Sequence, residues 1–260
     1  MGDAEPVVTV VVPAYREAHT IAATVSEIRA HLLAALGEGG FEVIVVDDGS
    51  DDETAATATA AGADRVIRHV HNLGKGAAVR TGMLAASGEH VIFTDADLAY
   101  SADHLLEVLA ELRRGADVVI GSRHHPLSSF TSQPSKMRRW GSKLVNLLAR
   151  MVLVGRYGDT QAGLKGFRRP AARAIFGKLE VTGMGFDVEV LQLAEQDGFR
   201  VVEIPVRLAD PGRSSVRLVR DGLRLVWDVV RIARRARRDR GSRSPHVLPG
   251  RSSGVRRHSD

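Results

Sequence analysis

The chain has 260 residues, of which 44% are hydrophobic and 26% are charged, as in ordinary globular proteins. It contains no cysteine, which excludes disulfides and sites where cysteine ligates zinc or an iron–sulfur cluster. The net charge of +5 is unevenly distributed, because residues 213–260 carry 14 Arg against 4 Asp and the rest of the chain is net acidic. A basic segment of this kind favours an anionic partner surface, either a membrane or a nucleic acid.

The sequence shows neither a secretory signal nor a membrane span. The first residues lack the basic and apolar segments of a secretory signal, so we expect a cytosolic location. No uncharged apolar run reaches the length of about eighteen residues that predicts a membrane span. Arginine greatly outnumbers lysine, and Ala and Val are abundant, which is typical of a GC-rich bacterial source.

Apolar, β-branched runs alternate with helical patterns along the first half of the chain. Ser50 and Glu53 have the spacing of a capping box, which predicts that a helix begins there. Strands that alternate with helices predict a parallel sheet covered on both faces. The predicted strands cover 7–15, 41–50, 65–70, 90–95 and 116–122, and the other predicted helices cover 20–36, 75–87 and 101–114.

The alternation changes after residue 123. Residues 124–135 read as a loop, and a strand is expected over 200–208. Helices are expected over 137–154, 169–177, 186–197 and 215–238. We therefore divide the chain into a main domain over 1–212, a basic amphipathic helix over 213–240 and a disordered basic tail over 241–260.

Four polar motifs follow the predicted strands. In parallel sheets, ligands bind outside the carboxyl ends of the strands. Asp95 and Asp97 also share one face of an extended chain, where their repulsion costs energy unless a cation lies between them. The four motifs are Pro13-Ala14-Tyr15, Asp47-Asp48-Gly49-Ser50, Asp95-Ala96-Asp97 and Gly121-Ser122-Arg123.

Each motif has a simpler interpretation when it is taken alone. The acids of "DDGSDDET" are compatible with a helix-capping turn or with a phospho-receiver domain. Gly74-Lys75-Gly76 begins a helix and favours a phosphate there, but it lacks the spacing of a P-loop. The first strand carries no dinucleotide-binding G-x-G-x-x-G. The ten histidines have no metal-binding spacing, and we assign them no catalytic role.

Taken together, the motifs resemble a known family. "VVVPAYRE", "VVDDGSDDET", "NLGKGAAVRTG", "FTDADL" and "GSR" in this order look like the inverting glycosyltransferases of family 2. The segment "GDTQAGLKGF" is similar to that of dolichyl-phosphate β-glucosyltransferases, within the wider group of polyprenyl-phosphate sugar synthases. The resemblance covers about residues 7–235. It implies an α/β GT-A fold with a mixed, mainly parallel central sheet and a C-terminal amphipathic helix.

The resemblance also implies a nucleotide pocket at the ends of the first two strands. In this pocket Asp48 accepts a hydrogen bond from the base, and Lys75 lies near the base or the phosphates. The side chains expected to line the pocket are Pro13, Tyr15, Glu17 and Val46.

A metal site and a phosphate site are implied beside the pocket. Asp95 and Asp97, with Ala96 between them, are the expected ligands of Mg²⁺ or Mn²⁺, which would neutralise the departing nucleoside diphosphate. Arg123 would face the donor phosphates or the acceptor phosphate.

The resemblance implies roles for four further residues. Asp159 lies where related enzymes with hydroxyl acceptors need a base. A phosphate acceptor is largely deprotonated at neutral pH, so Asp159 has two open roles, as a base or as a group that positions the acceptor or supports the metal. Gln161 is expected to bind the sugar. Arg207 and Arg213 would replace a Ser-Lys pair that contacts phosphate in mannose-transferring relatives.

The expected function is transfer of a hexose, with UDP-glucose as donor and polyprenyl phosphate as acceptor, to give a β-linked lipid phosphosugar. Two enzyme alternatives remain open, namely use of GDP-mannose and transfer to a hydroxyl acceptor. A nucleic-acid-binding protein that uses the basic tail is the non-enzyme alternative. It is disfavoured because the acidic pair, Lys75 and Asp48 are all intact, so no nucleic acid partner is expected.

The helix expected over 215–238 is amphipathic. On a helical wheel its arginines and aspartates gather on one arc, and valines, leucines and Trp227 occupy the rest. The apolar arc is wider than packing against one neighbour requires. We therefore expect part of it to pack on the main domain and part to enter the interface of an anionic membrane, on its cytosolic face. A core helix with a solvated arginine stripe is the alternative.

Overall fold

The computed structural model describes residues 5–97, 99–130, 157–208 and 227–235. Within these ranges every predicted strand is present, with ends that differ by a few residues. The helix expected over 137–154, the first part of the helix expected over 215–238, Arg213 and the tail over 241–260 lie outside the described residues.

A seven-stranded sheet forms the centre of the molecule. Six strands are parallel to one another, and the order across the sheet is β3-β2-β1-β4-β7-β5-β8. A second, two-stranded parallel sheet pairs β6 with β9. The strands are β1 (Val8–Ala14), β2 (Phe41–Asp47), β3 (Arg65–Arg68), β4 (His90–Thr94), β5 (Val118–Ser122), β6 (Ser129–Phe130), β7 (Leu164–Arg168), β8 (Val201–Pro205) and β9 (Arg207–Leu208).

Helices cover both faces of the sheet, as the alternation of strands and helices predicts. Along β1 the side chains alternate, so that Val11 packs in one apolar cluster and Val10 and Val12 pack in the other. The cluster of Val11 also contains residues of α3, α5, α6 and α7, and the opposite cluster contains residues of α1, α2 and α4. The helices are α1 (Ile21–Leu36), α2 (Thr54–Ala60), α3 (Lys75–Ala85), α4 (Asp103–Arg113), α5 (Arg169–Lys178), α6 (Phe186–Gln196) and α7 (227–235).

Strand β7 is antiparallel and lies between β4 and β5. Its first residue, Leu164, pairs with Thr94, the last residue of β4. Because the strand runs in the opposite direction to its neighbours, the segment 157–163 that precedes it lies at the carboxyl ends of β4 and β5. The insertion therefore brings "YGDTQAG" beside the acidic pair, which makes the sheet mixed and places the candidate site.

Two local predictions are wrong. The helix after β2 begins at Thr54, and Ser50 caps nothing there, since its hydroxyl accepts a hydrogen bond from Arg16 N at 2.9 Å. The predicted loop over 124–135 contains β6, whose pairing with β9 holds Ser129 and Phe130 in the second sheet. In both cases a contact with a segment distant in sequence decides the local structure.

The described part of the C-terminal helix packs on the main domain. Val229 and Ile232 are each 2% exposed and belong to the cluster that α3, α5 and α6 share. Arg231 and Arg235 form ion pairs with Glu180. Among the helices that the structure describes, none combines the length and the apolar character needed to cross a membrane.

Candidate active site

The acidic pair lies directly after β4. Asp95 is partly buried, and its Oδ1 lies 2.6 Å from Nζ of Lys75, the first residue of α3. Burial disfavours the charged ammonium, but Asp95, helped by Asp187, outweighs this effect and raises the pKa of Lys75 above its ordinary value. Between the two acids, Ala96 is buried, and its carbonyl accepts a hydrogen bond from Thr24 Oγ1 at 2.5 Å, which anchors the turn to α1.

Asp97 is exposed beside this pair. Its Oδ1 accepts a hydrogen bond from Ala99 N at 3.1 Å, and its charge contributes to the raised pKa of Lys75. The charges of both carboxylates therefore act on the ammonium of Lys75.

Gly163 allows the backbone before β7 to approach Asp95. A Cβ at this position would lie 1.9 Å from Asp95 Oδ2, so any other residue would displace the carboxylate. The amide of Gly163 also donates to the hydroxyl of Tyr100 at 3.2 Å. Tyr100 is buried, which raises its pKa well above the ordinary value, so its hydroxyl keeps a proton beside Asp95.

A divalent cation fits this arrangement. Asp95 already binds a cationic group, the ammonium of Lys75, and Asp97 supplies a second, exposed carboxylate. Hard cations such as Mg²⁺ and Mn²⁺ prefer oxygen ligands of this type. Within the described ranges, no group of three or more His, Asp or Glu side chains is arranged to hold a metal. The pair would therefore share the ion with oxygen atoms of a diphosphate or of water.

A second ion pair is buried behind Lys75. Nζ of Lys165, on β7, contacts a carboxylate oxygen of Asp187 in the first turn of α6. The same Nζ donates to Ala162 O at 2.7 Å and lies 5.4 Å from the ring centre of Phe93. Burial raises the pKa of Asp187 above its ordinary value, although Lys165 and Lys75 act in the opposite direction. Carboxylate and ammonium groups therefore alternate from Asp95 to Lys165.

Glycines at the start of α3 bring Lys75 close to the segment before α6. A Cβ at Gly74, which has φ of 103°, would lie 2.5 Å from Thr182 O, and one at Gly76 would lie 2.6 Å from Val181 O. The amide of Ala77 donates to Thr182 O, and that of Gly74 donates to Asp48. The amide of Gly74, which belongs to the motif that the sequence assigns to a phosphate, is therefore bound by the protein itself.

Asp48, at the end of β2, holds the loop that precedes α3. Its Oδ1 accepts from Leu73 N at 3.0 Å and from His69 Nδ1 at 2.7 Å, and its Oδ2 accepts from Gly74 N at 2.8 Å. The carboxylate is 3% exposed. Three protein donors thus surround the carboxylate that the resemblance assigns to the base of the nucleotide. His69, which the sequence leaves without a role, is part of this structure.

The turn between β1 and α1 is fastened to the turn after β2. Arg16 has φ of 58°, an uncommon value for a residue with a side chain, and its guanidinium forms two hydrogen bonds with Asp51. The amide of Glu17 donates to Thr54 Oγ1 at 2.9 Å, while the Glu17 carboxylate accepts from Thr20 Oγ1. Several acids of "DDGSDDET" therefore shape the rim of the sheet.

The other residues predicted to line the nucleotide pocket differ in exposure. Tyr15 is 39% exposed at this rim. Pro13 is buried, and Val46 is fully buried in the cluster beneath α3, so the Val46 side chain belongs to the core.

Arg123 and Asp159 form a closed ion pair at the end of β5. The Asp159 carboxylate accepts from Arg123 Nε at 2.5 Å, from Arg123 Nη2 at 2.9 Å and from the Arg123 amide at 3.1 Å. The amide of Gln161 donates to the same carboxylate at 3.3 Å. Burial opposes the charge of Asp159, but Arg123 outweighs it and holds the pKa of Asp159 below its ordinary value. Glu203, on β8, accepts from the amide of Gly158 at 2.9 Å and fixes the backbone beside Asp159.

The structure brings most of the predicted site residues to one edge of the sheet, where Arg207 also follows β8, but the Arg207 guanidinium is bound by α4. The Arg207 guanidinium lies 3.4 Å from Asp103 and 3.5 Å from Glu107, both on α4, and its side chain is 58% exposed. Sequence reasoning missed five residues of the site. A lysine within the apolar run "AGLKGF" was a signal for Lys165, since a buried lysine needs an acidic partner. The five are Tyr100, Gly163, Lys165, Asp187 and Glu203.

Comparison with known proteins places this site in a family. Residues 9–176 match the model of "Glycosyl transferase family 2". Glycosyltransferase AglD of Haloferax volcanii is 39% identical over 229 residues, which are 86% of this chain and 36% of that protein. The dolichyl-phosphate beta-glucosyltransferase of Drosophila melanogaster is 36% identical over 76% of this chain and 66% of its own length. ALG5C of Trichomonas vaginalis, with the same enzyme name, is 33% identical over 86% of this chain and 70% of its own. The chain thus spans about a third of the first relative and about two thirds of the others.

Solved structures share the fold. Glucosyl-3-phosphoglycerate synthase from Mycobacterium tuberculosis, in complex with phosphoglyceric acid, has a TM-score of 0.69 and 21% identity, over 88% of this chain and 80% of that chain. The same enzyme in complex with Mn²⁺, uridine-diphosphate and glucosyl-3-phosphoglycerate has a TM-score of 0.65 and 20% identity, over the same shares of the two chains.

Proposed function

The chain belongs to glycosyl transferase family 2, and from this premise we propose that it transfers glucose from UDP-glucose to polyprenyl or dolichyl phosphate, with inversion at the anomeric carbon. Two relatives that are 33% and 36% identical bear the name dolichyl-phosphate beta-glucosyltransferase, which supports this donor sugar and this acceptor. The segment "GDTQAGLKGF", on which the resemblance to these enzymes rests, forms the part of the site that β7 inserts between Asp95 and Arg123.

The observation that carries the proposal is the presence of two separate charged groups on one rim. Asp95, Asp97 and Lys75 form a group suited to a cation and a diphosphate, and Arg123 with Asp159 forms the other at the end of β5. A donor with a diphosphate and an acceptor with a phosphate need two such groups, one for each anion. The segment 157–163 connects them.

The acceptor phosphate does not need a base. Its second pKa is about 6, so at neutral pH it is already largely dianionic and attacks C1 of the sugar through one of its oxygens. The bond from C1 to the UDP oxygen breaks as the new C1–O bond forms. Asp95 and Asp97 would hold Mg²⁺ or Mn²⁺, which would neutralise the charge on the leaving UDP.

In this proposal Asp159 positions Arg123 and does not act as a base. Its carboxylate is occupied by Arg123, and its lowered pKa makes it a weak proton acceptor. Arg123 in turn offers its remaining N–H donors to the acceptor phosphate, with the orientation that the two hydrogen bonds to Asp159 impose. Gln161, two residues after Asp159, remains the proposed sugar contact.

The uracil is proposed to lie against exposed apolar side chains near Asp48. Leu73 is 44% exposed and donates its amide to Asp48, and Tyr15 follows Ala14, whose carbonyl accepts from Asp48 N at 2.8 Å. Asp48 holds these walls in place, because its carboxylate binds the amides of Leu73 and Gly74.

A matrix of donors and acceptors tests the function. Purified protein with Mg²⁺ or Mn²⁺ is expected to convert UDP-glucose and polyprenyl phosphate faster than any pair that contains GDP-mannose. The matched control acceptor is the same polyprenol without phosphate, for which no transfer is expected. Faster transfer from GDP-mannose would contradict the donor, and transfer to the free polyprenol at the same rate would contradict the acceptor.

We also propose that the protein works as a peripheral protein on the cytosolic face of a membrane, where its lipid acceptor lies. Trp227 is 68% exposed and Val230 is 37% exposed on α7, beside the exposed Arg234. Exposed aromatic and basic side chains of this kind favour a membrane interface. Because Val229 and Ile232 of the same helix are core residues, deletion of α7 would disturb folding, and a surface substitution is the better test.

Sedimentation with anionic vesicles measures this contact. Trp227→Ala is expected to weaken vesicle binding severalfold, because it removes the largest exposed apolar side chain of the helix. Leu33→Ala is the control, since Leu33 is 43% exposed on α1. Equal sedimentation of wild type and both variants would show that α7 is not the anchor.

A further inference from the structure

The ammonium of Lys75 occupies the position beside Asp95 where a metal would bind. Nζ lies 2.6 Å from Oδ1 of Asp95, a short charge-assisted hydrogen bond, so the ammonium occupies an oxygen that a metal would use. A divalent ion on this carboxylate and an ammonium at the same oxygen would repel each other strongly in a partly buried site. The two cations therefore exclude each other at Asp95.

The charge of a second carboxylate, that of Asp187, also acts on Lys75. Asp187 contributes to the raised pKa of Lys75, and Lys75 in turn counteracts the effect of burial on Asp187. Gly74 and Gly76, which lack a Cβ against Val181 and Thr182, allow this close approach of α3 to the segment before α6. Lysine carries its charge on a flexible stem, so a change of partner requires only side-chain rotation.

The buried partner of Asp187 favours such a change. Lys165 contacts one oxygen of Asp187, so the Asp187 carboxylate can accept a second ammonium through its other oxygen. The alternating charges from Asp95 to Lys165 remain balanced when Lys75 moves, provided that another cation takes its place at Asp95. A divalent ion fulfils this condition.

We propose that Lys75 and the divalent cation compete for Asp95, and that Lys75 turns to Asp187 or to the donor diphosphate when the metal binds. This inference rests on the metal site of the proposed function. Free metal then binds weakly to the protein alone, because it must displace the ammonium. Metal that arrives with a nucleoside diphosphate binds more tightly, because the diphosphate offers Lys75 a new anionic partner.

The competition is measured by titration of the full chain with Mn²⁺, with free Mn²⁺ followed by electron paramagnetic resonance and without any turnover. In the absence of nucleotide, Lys75→Met is expected to bind Mn²⁺ about tenfold more tightly than wild type, since the competing charge is gone. Lys178→Met is the matched control, because Lys178 loses the same charge at a distant ion pair with Asp197. It is expected to bind Mn²⁺ as wild type does.

Addition of UDP supplies a second measurement. UDP is expected to increase the Mn²⁺ affinity of wild type by a larger factor than that of Lys75→Met, because only the wild type has an ammonium to remove. Lys75→Gln repeats the test with a polar side chain in case the methionine variant folds poorly, as judged by thermal melting. When Asp95→Asn is added to Lys75→Met or to Lys75→Gln, the gain in Mn²⁺ affinity over wild type is expected to disappear.

The outcomes separate this inference from the function on which it rests. If wild type binds Mn²⁺ through Asp95 and both Lys75 variants bind it equally or more weakly, the competition is overturned and the metal site stands. If no variant binds Mn²⁺ with or without UDP, the metal site of the proposed function is overturned together with the competition.

Discussion

The ends of β2 and β4 look alike in sequence but differ in what their acids bind. Asp48 follows a buried strand, and its carboxylate accepts from two backbone amides and from the ring of His69. Asp95 also follows a buried strand, but its carboxylate contacts the ammonium of a lysine. Both acids are placed by the same kind of strand end, and only their partners differ.

The difference separates acids whose partners are fixed by the chain from acids whose partners can be exchanged. Backbone amides are held by the chain, so Asp48 keeps its partners and fixes the loop before α3. An ammonium on a flexible side chain can be exchanged for a metal or for another anion, so Asp95 is available for ligands. The pair of Arg123 and Asp159 is intermediate between these two cases. Asp159 fixes the orientation of the Arg123 guanidinium, which still has further N–H donors for a ligand. The following predictions test this division.

The largest effect is expected at Asp97, which lies beside Asp95 and is available for ligands. Asp97→Asn removes charge from the metal site and alters little volume, so hexosyl transfer is expected to fall about a thousandfold, the equivalent of roughly 4 kcal/mol of charge stabilisation. The melting temperature is expected to stay close to that of wild type. Asp51→Asn, the same change in the exposed turn after β2, is the control and should retain most of the activity. Near-normal turnover of Asp97→Asn with Mg²⁺ or Mn²⁺ would refute the metal-dependent mechanism.

The next effect distinguishes two of the three arginines that the sequence assigns to phosphate, Arg123 and Arg207. Arg123→Ala is expected to reduce transfer about a hundredfold, because it removes charged hydrogen bonds and leaves the buried Asp159 without its partner. Arg207→Ala is expected to change the rate less than about twofold, because its exposed ion pairs with α4 contribute little. Steady-state kinetics with varied acceptor measures both. A larger loss in Arg207→Ala than in Arg123→Ala would reverse the assignment.

A smaller effect is expected where the acid binds backbone. Asp48→Asn places an amide group against one or more N–H donors, so the free energy of unfolding is expected to fall by about 2 kcal/mol. Denaturant unfolding measures this change. Asp103→Asn is the comparison, because Asp103 is exposed and its ion pairs are expected to contribute less than about 1 kcal/mol. Equal stability of the two variants would contradict the structural role of Asp48.

The smallest effect concerns the pH dependence of the Arg123–Asp159 pair. The folded pKa of Asp159 lies below the value of 3.8 for an unpaired Asp. The pair therefore stabilises the folded protein above about pH 3.8, and this contribution is lost as the pH falls through the lower, folded value. The difference in melting temperature between wild type and Asp159→Asn is expected to be largest near neutral pH and to shrink in acid. A difference that grows as the pH falls would show that the sign is wrong.

The sequence was sufficient to predict most of the elements, the family and the edge of the sheet that carries the candidate site. Hydrophobic periodicity is a local property, so the six parallel strands and most helices follow from it with small errors at their ends. Parallel strands place their carboxyl ends at one edge, so Asp48, Asp95 and Arg123 could be grouped without a structure. The family resemblance is confirmed by the match over residues 9–176.

Only the tertiary structure decided which charged groups pair. The partners of Asp159 and Asp187 lie 36 and 22 positions away in the chain, and they meet because β7 enters antiparallel between β4 and β5. No local pattern encodes that insertion, and none shows that Ser50 binds Arg16 instead of capping a helix. A charged side chain is satisfied by whichever opposite charge or donor the fold brings within a few ångströms. The order of strands in the sheet therefore decides whether an acid holds a loop, orients an arginine or stays available to a metal.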